Sequence, residues 1–125
     1  TNMGLDQYAY ARTKTAEAEV ATIDVAYWRK HPNLQGWMEE LWKRKLLAKG
    51  GSPEDHTFNG IEVELLEEDI NELETAILES ALPETAGFFF GNDADDVYRE
   101  QDLEFIKNAR TNLFLGLRVL YNSSW

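Results

Sequence analysis

The chain has no cysteine in 125 residues. That excludes a disulfide scaffold, a thiolate metal site and a cysteine nucleophile, and it fits a reducing compartment. No run of about 18 apolar residues occurs, so no segment reads as a membrane-spanning helix. The start also lacks the basic-then-apolar layout of a secretory signal. Thr1 and Asn2 ahead of Met3-Gly4 read as a cloning remnant, with Met3 the expected native start. Cations become scarce after residue 49. Residues 1–49 carry eight Lys/Arg against six Asp/Glu, residues 50–125 four against seventeen, and the whole chain has a net charge of -11. Such a surface repels phosphates, so neither nucleic acid nor an anionic membrane is an expected partner. It keeps a protein soluble or meets a basic protein partner. DNA mimicry needs two rows of carboxylates, and residues 62–79 supply only one helix face. Histidine is limited to His31 and His56, with no His-x-x-x-His pair to favour zinc. Glycine-rich phosphate loops and the Gly-x-Ser-x-Gly elbow are missing too. No cofactor and no metal is expected.

What remains is an ordinary globular composition, 43% hydrophobic and 28% charged, of single-domain length spanning 1–125. Leu5 to Ala11 alternates apolar and polar residues, with two tyrosines on one face, as a half-buried strand does. Glu19 to Tyr27 is rich in β-branched residues and reads as a returning strand. Pro32 suits the first turn of a helix, where its missing N–H costs nothing. That helix carries Leu34, Trp37, Met38, Leu41, Trp42 and Leu46 on one side, and Gly50-Gly51 with Pro53 closes it. A short strand is expected over Gly60 to Leu65, then a helix with the stripe Leu66, Ile70, Leu73, Ile77 and Ala81, ended by Pro83. Gly87 to Gly91 reads as a buried aromatic strand and Asn92 to Asp96 as an acidic capping turn. A last helix is expected from Tyr98 to Tyr121, with Leu103, Ile106, Leu113, Leu117 and Leu120 on its stripe. The fold class is α+β: three amphipathic helices packed on about four short strands.

The segment from Trp28 to Met38 concentrates the unusual residues. Arg29, Lys30 and His31 sit just before a helix, where cations oppose the positive pole of the dipole. An anion bound there relieves the opposition, because free N–H groups and basic side chains then converge on it. The plainer reading has Arg29 and Lys30 solvated and Trp28 and Trp37 in the core. Arg110 lies inside an apolar stripe, which calls for a buried ion pair or the mouth of a pocket. Lys45 occupies a similar place and is expected to extend its ammonium into water. The carboxylates from Glu62 to Glu74 read as a solvated helix face.

Three of these motifs stand together in one order: Met3-Gly4-Leu5-Asp6-Gln7-Tyr8, the segment from Trp28 to Met38, and Leu82-Pro83 followed by Gly87-Phe88-Phe89-Phe90-Gly91. Together they resemble a family of small proteins encoded by bacteriophages, cyanophages among them, and by some bacteria. The resemblance implies expression in a host bacterial cytoplasm and action on a host component; it implies no named activity. Relatives tend to have asparagine and histidine after Trp-Arg-Lys, where this chain has Pro32 and Gln35. The resemblance therefore carries over only Trp28, Arg29, Lys30 and Trp37 as site candidates. The leading expectation is a non-enzymatic accessory protein that binds another macromolecule, with a host protein as partner and a homodimer possible. The alternative is a small-molecule binder or enzyme whose anion pocket uses Trp28, Arg29, Lys30, His31, Trp37 and Arg110.

Overall fold

The computed structural model describes residues 4–13, 22–84 and 94–125, with the backbone alone for 94–97. Its elements are β1 (Asp6–Thr13), β2 (Ile23–Arg29), α1 (Pro32–Ala48), a 3-10 turn (Pro53–Asp55), β3 (Val63–Leu65), α2 (Glu67–Leu78), α3 (Ala94–Phe114) and β4 (Leu117–Ser124). The strands form one antiparallel sheet in the order β2-β1-β4-β3. Helices pack on one face of it, so the fold is α+β in two layers.

Alternation along β1 decides which face is covered. Gln7, Ala9 and Ala11 point inward and are buried, while Tyr8 points outward at 43% exposure. Trp28, Val119 and Tyr121 share the inward face and meet Leu34, Met38, Leu41, Ile70, Leu73, Phe105 and Ile106 from the helices. Trp28 meets Phe105 edge to face, with centroids 5.0 Å apart, a geometry worth about 0.5–1.5 kcal/mol beyond the area buried. The two tyrosines of β1 therefore belong to the outer face. Register slips by one residue between Ala9 and Tyr10, so β2 carries a bulge there.

Helix ends follow from local chemistry. In α1, Pro32 occupies the first turn. Gly50, at φ 85°, and Gly51 donate to Leu47 and Leu46 carbonyls at 3.0 and 2.9 Å. That is a Schellman ending, which needs a residue tolerant of positive φ. At the start of α2, Asp69 accepts the Leu66 N–H at 2.8 Å, and three acids in the first turn suit the dipole.

Four expectations change. The last helix stops at Phe114, and Leu117 to Ser124 form β4, a central strand. Gly116 turns the chain at φ 85°; Leu117 and Leu120 lie on a strand and not on a helix stripe. The second strand begins at Ile23 and runs on to Arg29, which places Trp28 inside the sheet. Leu66 caps α2 at 44% exposure and does not join its buried stripe. The expected turn at Asn92 to Asp96 overlaps α3, which has begun by Ala94. The strand expected at Gly87 to Gly91 lies outside the described residues.

Gly116 has open space where a Cβ would stand, so only its backbone angle resists substitution. Gly116→Ala is expected to cost about 1–2 kcal/mol, the penalty of a left-handed L-residue. Urea unfolding at constant slope checks this.

Candidate functional site

The Trp28 to Met38 segment folds into a buried polar cluster. Its first element is a turn: Lys30 adopts φ 63° and donates its N–H to Leu5 O at 2.8 Å, which swings the chain from β2 into α1. His31, the N-cap residue of α1, is thereby driven inward and is fully buried. Its ring Nε2 lies 2.8 Å from Asp102 Oδ2 of α3, and Trp28 Nε1 donates to Asp102 Oδ1 at 2.9 Å. Tyr98, one turn earlier on α3, stacks on the imidazole at 4.2 Å and 14°. Its hydroxyl donates to the Arg29 carbonyl. Burial, then the Asp102 charge, raises the Tyr98 hydroxyl above its ordinary value, so it remains a donor.

Gln7 of β1 completes the arrangement. Its Oε1 accepts the His31 N–H at 2.8 Å, and its Nε2 donates to His31 O at 3.0 Å and to the Tyr121 hydroxyl at 2.9 Å. Tyr121 donates in turn to Gln35 Oε1 at 2.5 Å. Burial holds the Tyr121 hydroxyl far above its ordinary value, fixing it as a neutral donor and acceptor. Three buried atoms of this neighbourhood, His31 Nδ1, Gln35 Nε2 and Ser123 Oγ, have no partner among the described residues.

An imidazole oriented by a carboxylate is the geometry of a general base. Here the His31 and Asp102 side chains are only 0% and 2% exposed, so the pair is sealed. Its evident work is mechanical, since it ties β2, the start of α1 and α3 together. The group that meets the cap residue of this helix is the Asp102 side chain of α3.

The six residues singled out from sequence do not gather at one place. Trp28 and His31 meet through Asp102. Trp37 is half-buried against the core. Arg29 and Lys30 are exposed, and only their backbones join the cluster. Arg110 belongs to the contact between α3 and α2: it grips Glu74 at 2.7 and 3.0 Å and Asn71 at 2.8 Å. The pocket built from Arg29, Lys30, His31 and Arg110 is therefore not assembled, because the guanidinium of Arg110 is already occupied and His31 faces a carboxylate. Lys45 also departs from expectation: its ammonium turns back to Asp69 Oδ2 at 2.6 Å and Glu64 O at 2.8 Å. Among the described residues there is no cluster of three His, Cys, Asp or Glu able to hold a metal, and no helix is long and apolar enough to cross a membrane.

The outer face of the sheet offers a different surface. Tyr8 and Tyr27 are paired across β1 and β2, with ring centroids 5.2 Å apart, and are 43% and 47% exposed. Tyr27 donates to Asp6 at 2.8 Å; this bond, more than burial, raises its hydroxyl above the ordinary value. Further along, Glu62 receives Tyr10 and Arg12, and Glu64 receives Arg118 at 3.3 Å. Burial, then the Glu62 bond, pushes the Tyr10 hydroxyl up to about 12. Leu120, between Tyr10 and Glu64 in register, is only 2% exposed. This half of the face is closed by its own ion pairs. The Tyr8–Tyr27 half is open, with Arg29 beside it, opposite Asp6 in register.

Two outcomes follow for the paired carboxylates. Asp102→Ala leaves the Trp28 indole N–H and His31 Nε2 buried without their shared partner and is expected to cost about 1–3 kcal/mol for each. Asp102→Asn, which keeps one acceptor, is expected to cost less; urea unfolding followed by tryptophan fluorescence ranks the two. Glu74 is held below its ordinary value by its hydrogen bonds to Arg110. A depressed carboxyl stabilises the fold above its unfolded value and loses that effect as pH falls through the folded one. Glu74→Gln is therefore expected to be less stable than the parent at neutral pH, with the gap closing in acid. Unfolding midpoints of both proteins across pH 7 to about 2.5 test the sign. Comparison with known proteins found no matching family model, no matching curated protein and no matching solved structure.

Proposed function

We propose that this chain is an accessory protein that acts by binding another protein, through the open half of its outer sheet face. The observation that carries the reading is the Tyr8–Tyr27 pair, each residue more than 40% exposed and, among the described residues, on the sheet face away from the helices of the core. Tyrosine and arginine are the residue types that anchor protein interfaces, because they offer large rigid area with a polar tip. Arg29, the one basic candidate of the Trp28 segment that lies on this face, supplies the charged component. Asp6, Asp24, Glu62 and Glu64 on the same strands or beside them weigh against a nucleic acid, whose phosphates they repel. A resemblance to phage-encoded proteins favours a partner in a bacterial host, and binding without catalysis fits a His31–Asp102 pair closed to substrate.

Affinity capture from bacterial lysate, with parent and Tyr8→Ala/Tyr27→Ala baits side by side, tests this. Arg44→Ala, on the helical side, serves as control. A partner held by the parent and the control but weakened at least tenfold, about 1.4 kcal/mol, by the double variant is the expected result. Equal retention by all three baits overturns the reading, and so does capture that disappears with nuclease. Sedimentation of the parent alone separates a second copy of the chain from a foreign partner.

A further inference from the structure

A cleft of about 400 Å³ opens where the second half of α1 passes the edge strand β3. Its apolar lining includes the buried Trp42 and Val63 together with Leu46 and Leu66. Its volume lies in the range of small-molecule sites, and so does its make-up of mostly apolar surface with few polar groups. Leu66 stands 44% exposed beside it, an apolar cost at a helix cap, where a polar residue is the ordinary choice.

The charges around the cleft decide what fits. Lys45 is spent on Asp69 and on the Glu64 carbonyl. Glu64 receives Arg118, and Glu62 receives Arg12 and Tyr10. Lys49, the C-cap residue of α1, is exposed and has no side-chain partner among the described residues. The uncommitted charge at the rim is thus a single cation beside an apolar lining. From this arrangement we infer a binding site for a small apolar monocarboxylate, its hydrocarbon or aromatic body against Trp42, Val63 and Leu66 and its carboxylate on the Lys49 ammonium. A phosphate lacks the apolar body, and an uncharged hydrocarbon leaves the cation unused. The net charge of -11 opposes any anion at long range, but at physiological salt that repulsion is screened beyond about 8 Å. This site is separate from the tyrosine face and does not depend on it.

Proton–nitrogen correlation spectra of the intact chain, titrated with 3-phenylpropionate, provide the test. Its uncharged twin 3-phenylpropanol and acetate, the head group alone, are titrated in parallel. Saturable shifts are expected at the Trp42 indole and the Val63, Glu64 and Leu66 amides, with the alcohol at least fivefold weaker and acetate without effect. Lys49→Glu and Lys49→Met are expected to weaken phenylpropionate at least fivefold, and Lys107→Glu, on α3, to leave it unchanged. Both Lys49 substitutions are at an exposed position, and retained spectral dispersion verifies their folding. Equal binding of acid and alcohol overturns the assignment. So do indifference to Lys49, and the absence of saturable shifts at ten millimolar ligand.

Discussion

The Asp102 carboxylate is the point on which the two layers close. It is 1% exposed, and a lone ionised carboxylate in such a place is costly. The fold meets that cost by giving each oxygen its own partner, Trp28 Nε1 donating to one and His31 Nε2 lying 2.8 Å from the other. The partners come from the end of β2 and the cap of α1, and the carboxylate from α3. These elements can therefore pack only in the arrangement that brings all three groups together. Gln7 fixes the backbone of His31 from the opposite side, so β1 is bound into the same relation. Apolar contacts supply most of the favourable free energy of a core. This polar cluster selects which of the possible packings is adopted, because its bonds each join groups of different elements.

The same principle of internal pairing governs the surface. Arg110, Arg118, Arg12 and Lys45 are each committed to a carboxylate. An isolated exposed pair contributes little stability, but these pairs take four of the chain's twelve cations out of reach of ligands. Two surfaces are the ones proposed to bind: two tyrosine rings with Arg29 beside them, and one lysine above an apolar cleft. These lie on separate parts of the molecule and differ in the partner they suit.

The residues that could be read from sequence were those whose pattern admits one period. Leu34, Met38, Leu41 and Trp42 mark α1, and its proline start and double-glycine end bound it closely. Ile70, Leu73 and Ile77 mark α2 as clearly. The segment after Phe114 was ambiguous, since Leu113, Leu117 and Leu120 fit helical spacing while Val119, Tyr121 and Ser123 fit a strand. Only Gly116 separates the two, and a single glycine inside a helical pattern is a weak signal. The need of Arg110 for a carboxylate was legible, although its partner, Glu74, was not. Gln7, Gln35 and Asp102 were missed as a group. Each is a polar residue at a core-facing position, but their mutual contact joins residues far apart in the chain. Local pattern carries no information about such a meeting.

Strand order has a consequence for how the chain acquires this structure. The centre of the sheet joins β1 to β4, aligning Asp6 with Ser124, while β2 is the local partner of β1. During synthesis the first hairpin emerges early, with one edge of β1 unmatched until β4, more than a hundred residues later, has been made. Closing so large a loop precedes the reward from its contacts, which slows folding in proteins of high contact order. Until then the inward row of β1 and the indole of Trp28 have neither β4 nor α3 to cover them. Gln7 in that row and the charged residues on the outward side of β1 interrupt what is otherwise an apolar edge, and such interruptions limit premature strand pairing between nascent chains. The buried glutamine that organises the finished core thus also guards the strand before the core exists.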